Sequence, residues 1–137
     1  MNITVALQHL NWPAVFAAAF STFLIGGLWY SPVLFQKSWI RANGFDPANL
    51  PKSNPAVVFG LAFFFAFVMA LNLALFIGQA DVSFGATAGF MTGFGWVALA
   101  VAIIALFESR PLAYILINGG YMVVTFTVMG TIIGAWH

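Results

Sequence analysis

Residues 84–107 read FGATAGFMTGFGWVALAVAIIALF, 24 residues without one charged side chain. At about 1.5 Å per residue the run makes a helix of roughly 36 Å. A hydrocarbon core is about 30 Å thick, so such a helix crosses it with modest tilt. Lipid offers nothing to stray backbone groups, so a crossing segment of this length must be helical. The run shows no alternation of polar and apolar residues, which argues against a strand of a β-barrel.

Three more runs of similar length surround it, at 12–35, 55–78 and 112–136. The whole chain follows the same composition. Of 137 residues, 63% are hydrophobic and 5% are charged. A soluble domain carries about 25% charged residues, so the chain cannot cover a water-facing surface. The expected fold is an all-α integral membrane protein, one domain over 1–137, built as an antiparallel bundle of four transmembrane helices. The formal net charge of +1 leaves no basic surface for nucleic acid, and the absence of cysteine removes disulfides and thiolate sites. Residues 1–11 hold no Lys or Arg, so the start of the chain does not read as a cleavable signal peptide.

Punctuation supports the four runs. Asn11 before Trp12-Pro13, and Asn54 before Pro55, have the form of helix N-caps with proline in the first turn. Ser83 is the expected cap of the third run. The connections 79–83 and 108–111 are short and predict antiparallel neighbours. The connection 36–54 is longer and holds Lys37, Arg41, Asp46 and Lys52. Residues 33–40 mix apolar and basic side chains around Trp39, the pattern of a segment lying along the interface.

Orientation follows from the basic residues. Lys37, Arg41, Lys52 and Arg110 all fall in the first and third connections. Basic loops stay in the cytoplasm, so 36–54 and 108–111 are expected inside and both termini outside. Trp12, Trp29, Tyr30, Trp39 and Trp136 fit aromatic belts at the two interfaces. Trp96 does not, because it falls near the middle of its run. Its indole N–H needs a partner there, and Thr92, one turn earlier, is a candidate.

Small residues recur every four positions: Gly85, Gly89 and Gly93; Gly130 and Gly134; Ala62, Ala66 and Ala70; Ala14, Ala18, Thr22 and Gly26. Such ladders let helix backbones approach closely in lipid. They predict packing inside the bundle, with some ladders left for another subunit. On a helical wheel Gly85, Gly89, Thr92, Gly93 and Trp96 share a stripe, which either receives another helix or forms a small cavity. On the fourth run Asn118, Tyr121 and Thr125 share one face, with Gly120, Thr127, Thr131 and Gly134 roughly opposite. Ile115, Met122, Phe126, Met129 and Ile133 form a wholly apolar stripe expected to face lipid or a greasy partner.

Chemistry is sparse. No Asp, Glu, Lys, Arg or His falls inside a run, so there is no proton-coupling group and no acid–base, nucleophile or metal constellation. His9, His137 and Asp81 would have to converge from two ends and a loop to hold a metal, so neither a metal nor a cofactor is expected. Asn72 and Asn118 read as hydrogen-bonding residues. Gly26, Gly27, Trp29 and Tyr30 lie at a depth similar to Asn118, Gly119, Gly120 and Tyr121. If these stretches meet, Trp29, Tyr30, Asn118 and Tyr121 line a small aromatic, amide-lined pocket near the cytoplasmic side.

Asn11-Trp12, the element Gly26-Gly27-Leu28-Trp29-Tyr30-Ser31-Pro32, and Phe35-Gln36-Lys37-Ser38-Trp39 together resemble the bacterial membrane family catalogued as domain of unknown function 1761. Asn118-Gly119-Gly120-Tyr121, Met129-Gly130 and Trp136 fit the same family, while the middle spans match only in character. The resemblance implies a small bacterial four-helix membrane protein and implies no activity. The functional expectation is a non-enzymatic protein of the bacterial cytoplasmic membrane that acts by helix association, as a homo-oligomer or as an accessory subunit of a membrane complex. The alternative is a small-solute channel or transporter formed by a homo-oligomer, lined by Thr22, Thr87, Thr92, Thr125, Thr127 and Thr131.

Overall fold

A computed structural model describes residues 2–136, and all the regular structure among them is helical. Four helices are long and apolar enough to cross a membrane: Trp12–Trp29, Pro55–Ile77, Val82–Phe107 and Leu112–Ala135. They are the first to fourth spans below. Two short helices accompany them, Ile3–Gln8 and Gln36–Asn43.

The starts follow local chemistry. Asn11 Oδ1 accepts from the Ala14 N–H, and Asn54 Oδ1 from the Ala56 N–H. Each satisfies a donor that the first helical turn leaves free. The third span starts earlier than expected, at Val82, and its cap is Asp81 rather than Ser83. Asp81 Oδ1 accepts from the Phe84 N–H at 2.9 Å. A carboxylate caps as well as a hydroxyl and also meets the positive end of the helix dipole.

The first span ends at Trp29 instead of running on to residue 35. Pro32 disfavours a helical conformation at Ser31, and the chain turns back on itself there. The Phe35 N–H donates to the Trp29 carbonyl at 3.1 Å, and the Gln36 N–H to the Ser31 carbonyl at 3.2 Å. The apolar letters Val33, Leu34 and Phe35 belong to this turn. Helix Gln36–Asn43 follows and ends at Gly44, whose φ of 70° a glycine adopts without strain.

The fourth span is central. It packs most heavily on the third span and then on the first, and the first also packs on the second. Phe126, Met129 and Ile133 are buried with Val15, Ala18, Ala66, Ala70 and Leu73. Of the stripe expected to face lipid or a greasy partner, these three residues face the core, where apolar neighbours receive them. In a bilayer the core and the surroundings are equally apolar, so hydropathy does not distinguish them. The outward faces carry Phe20, Phe64, Phe65, Ile104, Leu106 and Phe107.

Gly85, Gly89 and Gly93 form a seam with the fourth span. A β-carbon at Gly85 would strike the Gly130 carbonyl oxygen, one at Gly89 the Phe126 carbonyl oxygen, and one at Gly93 would lie 2.9 Å from the Met122 oxygen. A β-carbon at Gly134 would lie 2.8 Å from the Asp81 oxygen. Rising numbers on the third span meet falling numbers on the fourth, so this pair runs in opposite directions. These glycines are thus used within the chain. Ala66 and Ala70 are buried as well, while Ala62 is exposed.

Residues Gly93–Ala98 form a π-helical segment inside the third span. The wider turn leaves Gly93 on the seam and carries Trp96 to the outer face, 79% exposed. The α-helical wheel placed Trp96 on the glycine stripe, and the π segment breaks that register. Thr92 is not its hydrogen-bond partner, and among the described residues Trp96 Nε1 finds no acceptor.

Candidate functional site

The end of the first span meets the first third of the fourth. Trp29 Nε1 donates to the Ile117 carbonyl at 2.8 Å. The Tyr30 hydroxyl donates to Asn118 Oδ1 at 2.6 Å, and the Tyr121 hydroxyl to the Thr22 carbonyl at 2.8 Å. The Tyr30 and Tyr121 rings stand edge to face at 5.3 Å. The four residues singled out from the sequence are therefore brought together.

Two glycines make the approach possible. A β-carbon at Gly26 would lie 3.1 Å from the Tyr121 hydroxyl, and one at Gly120 would lie 3.0 Å from Trp29 Cζ2. The turn at Ser31–Phe35 then closes the cluster. Phe35 packs on Trp29 at 4.8 Å between ring centres, and Trp39 packs on Tyr30 at 6.1 Å. Phe35 and Trp39 join the cluster in addition to the four residues that the sequence indicates. Pro32 is the signal that places them, because it turns the chain back over the rings.

The arrangement is a knot of side chains bonded to one another and to neighbouring carbonyls. Burial, with Tyr121 and Tyr114 adding to it, raises the Tyr30 phenol above its ordinary pKa, so Tyr30 holds Asn118 as a neutral donor. One donor in the knot is unspent: among the described residues Asn118 Nδ2 makes no hydrogen bond. One turn beyond Tyr121, Thr125 is fully buried; its hydroxyl neighbours the Tyr121 side chain but makes no well-formed hydrogen bond among the described residues. Leaving such a group unpaired costs about 1–3 kcal/mol. Thr125→Val should therefore raise the resistance of the bundle to unfolding in mild detergent by about 1 kcal/mol, and a loss of stability would contradict the assignment.

The other polar residues lie elsewhere. Asn72 is exposed and donates to the Val68 carbonyl of its own helix at 2.8 Å, not to another span. His9 Nδ1 lies 2.8 Å from the Val5 carbonyl, and the His9 carbonyl accepts from Gln79 Nε2. Asn11 Nδ2 donates to the Trp136 carbonyl at 3.1 Å. These bonds tie together the end of the bundle remote from the knot. Asp81 serves as a helix cap there, and His137 lies outside the described residues. A cavity of about 10 Å³ sits at this end between Asn11, Gln79 and Trp136, room for about one water molecule. A shallow apolar groove of about 210 Å³ runs along Phe16, Gly60, Phe63, Phe64 and Phe67.

The knot joins Trp29-Tyr30 to Asn118–Tyr121, two of the elements that carry the family resemblance. A family model described as "Protein of unknown function (DUF1761)" matches residues 13–134. The chain belongs to that family. The DUF1761 match takes in the whole knot and all four apolar helices but for Trp12 at the start of the first and Ala135 at the end of the fourth. No curated protein and no solved structure matches the chain.

Proposed function

We propose that this DUF1761 protein is a multi-pass protein of the bacterial cytoplasmic membrane that works by associating with other membrane helices rather than by catalysis. It acts as a homo-oligomer or as an accessory subunit of a membrane complex. Its spans form an antiparallel bundle, with both termini outside and the connections 36–54 and 108–111 in the cytoplasm. The basic residues of those connections support that orientation.

The observation that carries the association reading is Trp96. It stands near the centre of a 26-residue apolar helix, where no aromatic belt explains it. Its ring faces outward and its N–H lacks an acceptor, a costly state in hydrocarbon that a neighbouring helix relieves. Gly95 beside it has open space where a β-carbon would stand, so a partner helix meets no obstacle there. Interhelical hydrogen bonds in membranes contribute about 0.6–2 kcal/mol. Trp96→Phe keeps a ring and removes the donor. In native-lipid extracts studied by mass spectrometry, it should weaken assembly by roughly 3- to 30-fold while leaving bundle unfolding unchanged. A wild-type protein that is monomeric and free of companions in native lipid would refute the reading.

The channel reading has less support. Thr22, Thr127 and Thr131 donate their hydroxyl protons to carbonyls of their own helices, which removes donors that a solute path would use.

A further inference from the structure

Helix Gln36–Asn43 carries two cations that none of the described residues neutralises. Lys37 and Arg41 are four residues apart, on one helical face, and both are exposed. Among the described residues neither makes an ion pair or a side-chain hydrogen bond. The chain holds three acids, and each is engaged elsewhere. Glu108 pairs with Arg110 at 3.2 Å, Asp81 caps the third span, and Asp46 accepts from the Ala48 N–H. Two like charges at this spacing destabilise a helix, so an external anion is favoured between them.

The opposite face of the helix is docked. Ala42 is buried, Trp39 packs on Tyr30 and Phe45, and the helix lies against the fourth span. Just before it, Val33 is 82% exposed and Leu34 43% exposed. Apolar side chains next to a row of cations, on a helix held against a membrane bundle, fit the boundary between headgroups and acyl chains.

We infer that Gln36–Asn43 is a lipid-binding helix, in which Lys37 and Arg41 hold the phosphate of an anionic phospholipid while Val33 and Leu34 enter its acyl region. Charge complementarity selects the partner: two unneutralised cations at a membrane interface call for an anionic headgroup. The inference rests on the membrane reading above and adds a lipid class and a site to it.

The full chain, purified in neutral detergent, is offered phosphatidylglycerol or phosphatidylcholine, and bound lipid is counted by native mass spectrometry. Each basic side chain near an anionic surface contributes roughly fivefold, so the preference for phosphatidylglycerol should be about twenty-fivefold. Lys37→Gln with Arg41→Gln should abolish it at an unchanged unfolding midpoint. Lys37→Arg with Arg41→Lys should keep it, and excess inorganic phosphate should not displace the lipid. No preference in the wild type, a preference that survives the double glutamine variant, or displacement by phosphate alone would each overturn the inference. Alkaline extraction of cell membranes reads the membrane placement separately. If the protein is extracted, the membrane reading fails; if it is retained but shows no lipid preference, only this inference fails.

Discussion

Replacement of Gly89 by valine should prevent the third and fourth spans from closing. The new side chain would project straight into the Phe126 carbonyl, with the Thr127 α-carbon 3.1 Å from its β-carbon. Overpacking usually costs about 1–3 kcal/mol, because neighbouring side chains shift. Here the neighbour is main chain within a regular helix, and relief requires the two spans to part along the seam. Packing rather than hydrophobicity holds helices together in lipid, so a parted seam loses what supports it. A penalty of about 3 kcal/mol or more is expected, a large share of the roughly 5–15 kcal/mol that folded proteins possess. Unfolding in mild detergent reads it directly, and aggregated or unfolded protein is the expected product. Gly60→Ala is the control: its β-carbon meets nothing within 4 Å, and replacing glycine in a helix gains up to about 1 kcal/mol. A Gly89→Val protein as stable as wild type would mean that the seam is not formed.

The second large effect is at Trp29. Its ring is held between Phe35 and the space left by Gly120, and its N–H reaches the Ile117 carbonyl. Truncation of a buried tryptophan costs about 3–5 kcal/mol. Trp29 is half-buried, so Trp29→Ala should cost about 3 kcal/mol. Trp29→Phe keeps most of the packing and should lose about 1 kcal/mol with the hydrogen bond. The diagnostic result is the coupling to Gly120. Gly120→Val alone forces the indole aside, whereas in the Trp29→Ala background the space is free. The two penalties should fall short of additivity by about 1 kcal/mol or more in an unfolding cycle. Strict additivity would show that the rings do not occupy that space.

The sequence made the glycine seam and the meeting of Trp29-Tyr30 with Asn118–Tyr121 legible for simple reasons. Small residues at four-residue spacing line one helical face, and residues equidistant from the same interface lie at the same depth. The remaining features turn on effects that composition does not carry. Phe126, Met129 and Ile133 read as facing either lipid or a greasy partner, because apolar side chains suit a membrane core and its surroundings alike. Trp96 departs from its helical-wheel position because a π segment adds a residue to a turn without changing the hydropathy of the run. The apolar run continues six residues beyond the end of the first span, because Val33, Leu34 and Phe35 extend its apolar letters although Pro32 marks the turn. The knot was anticipated as a lined pocket; that its hydroxyls and indole N–H bond to neighbouring oxygens depends on rotamers and on the returning chain, neither of which is written in residue spacing.

The seam between the third and fourth spans is made almost wholly of peptide backbone, and this bears on how such a protein can change over generations. Backbone atoms are the same whatever residue they carry. Kinship at this surface is therefore recorded in positions with no side chain at all: Gly85, Gly89, Gly93, Gly130 and Gly134. The outward faces can exchange Phe, Leu, Ile and Val with little consequence for these contacts. Two descendants could thus diverge over most of their letters and still superimpose along this seam, provided the same few places stayed empty.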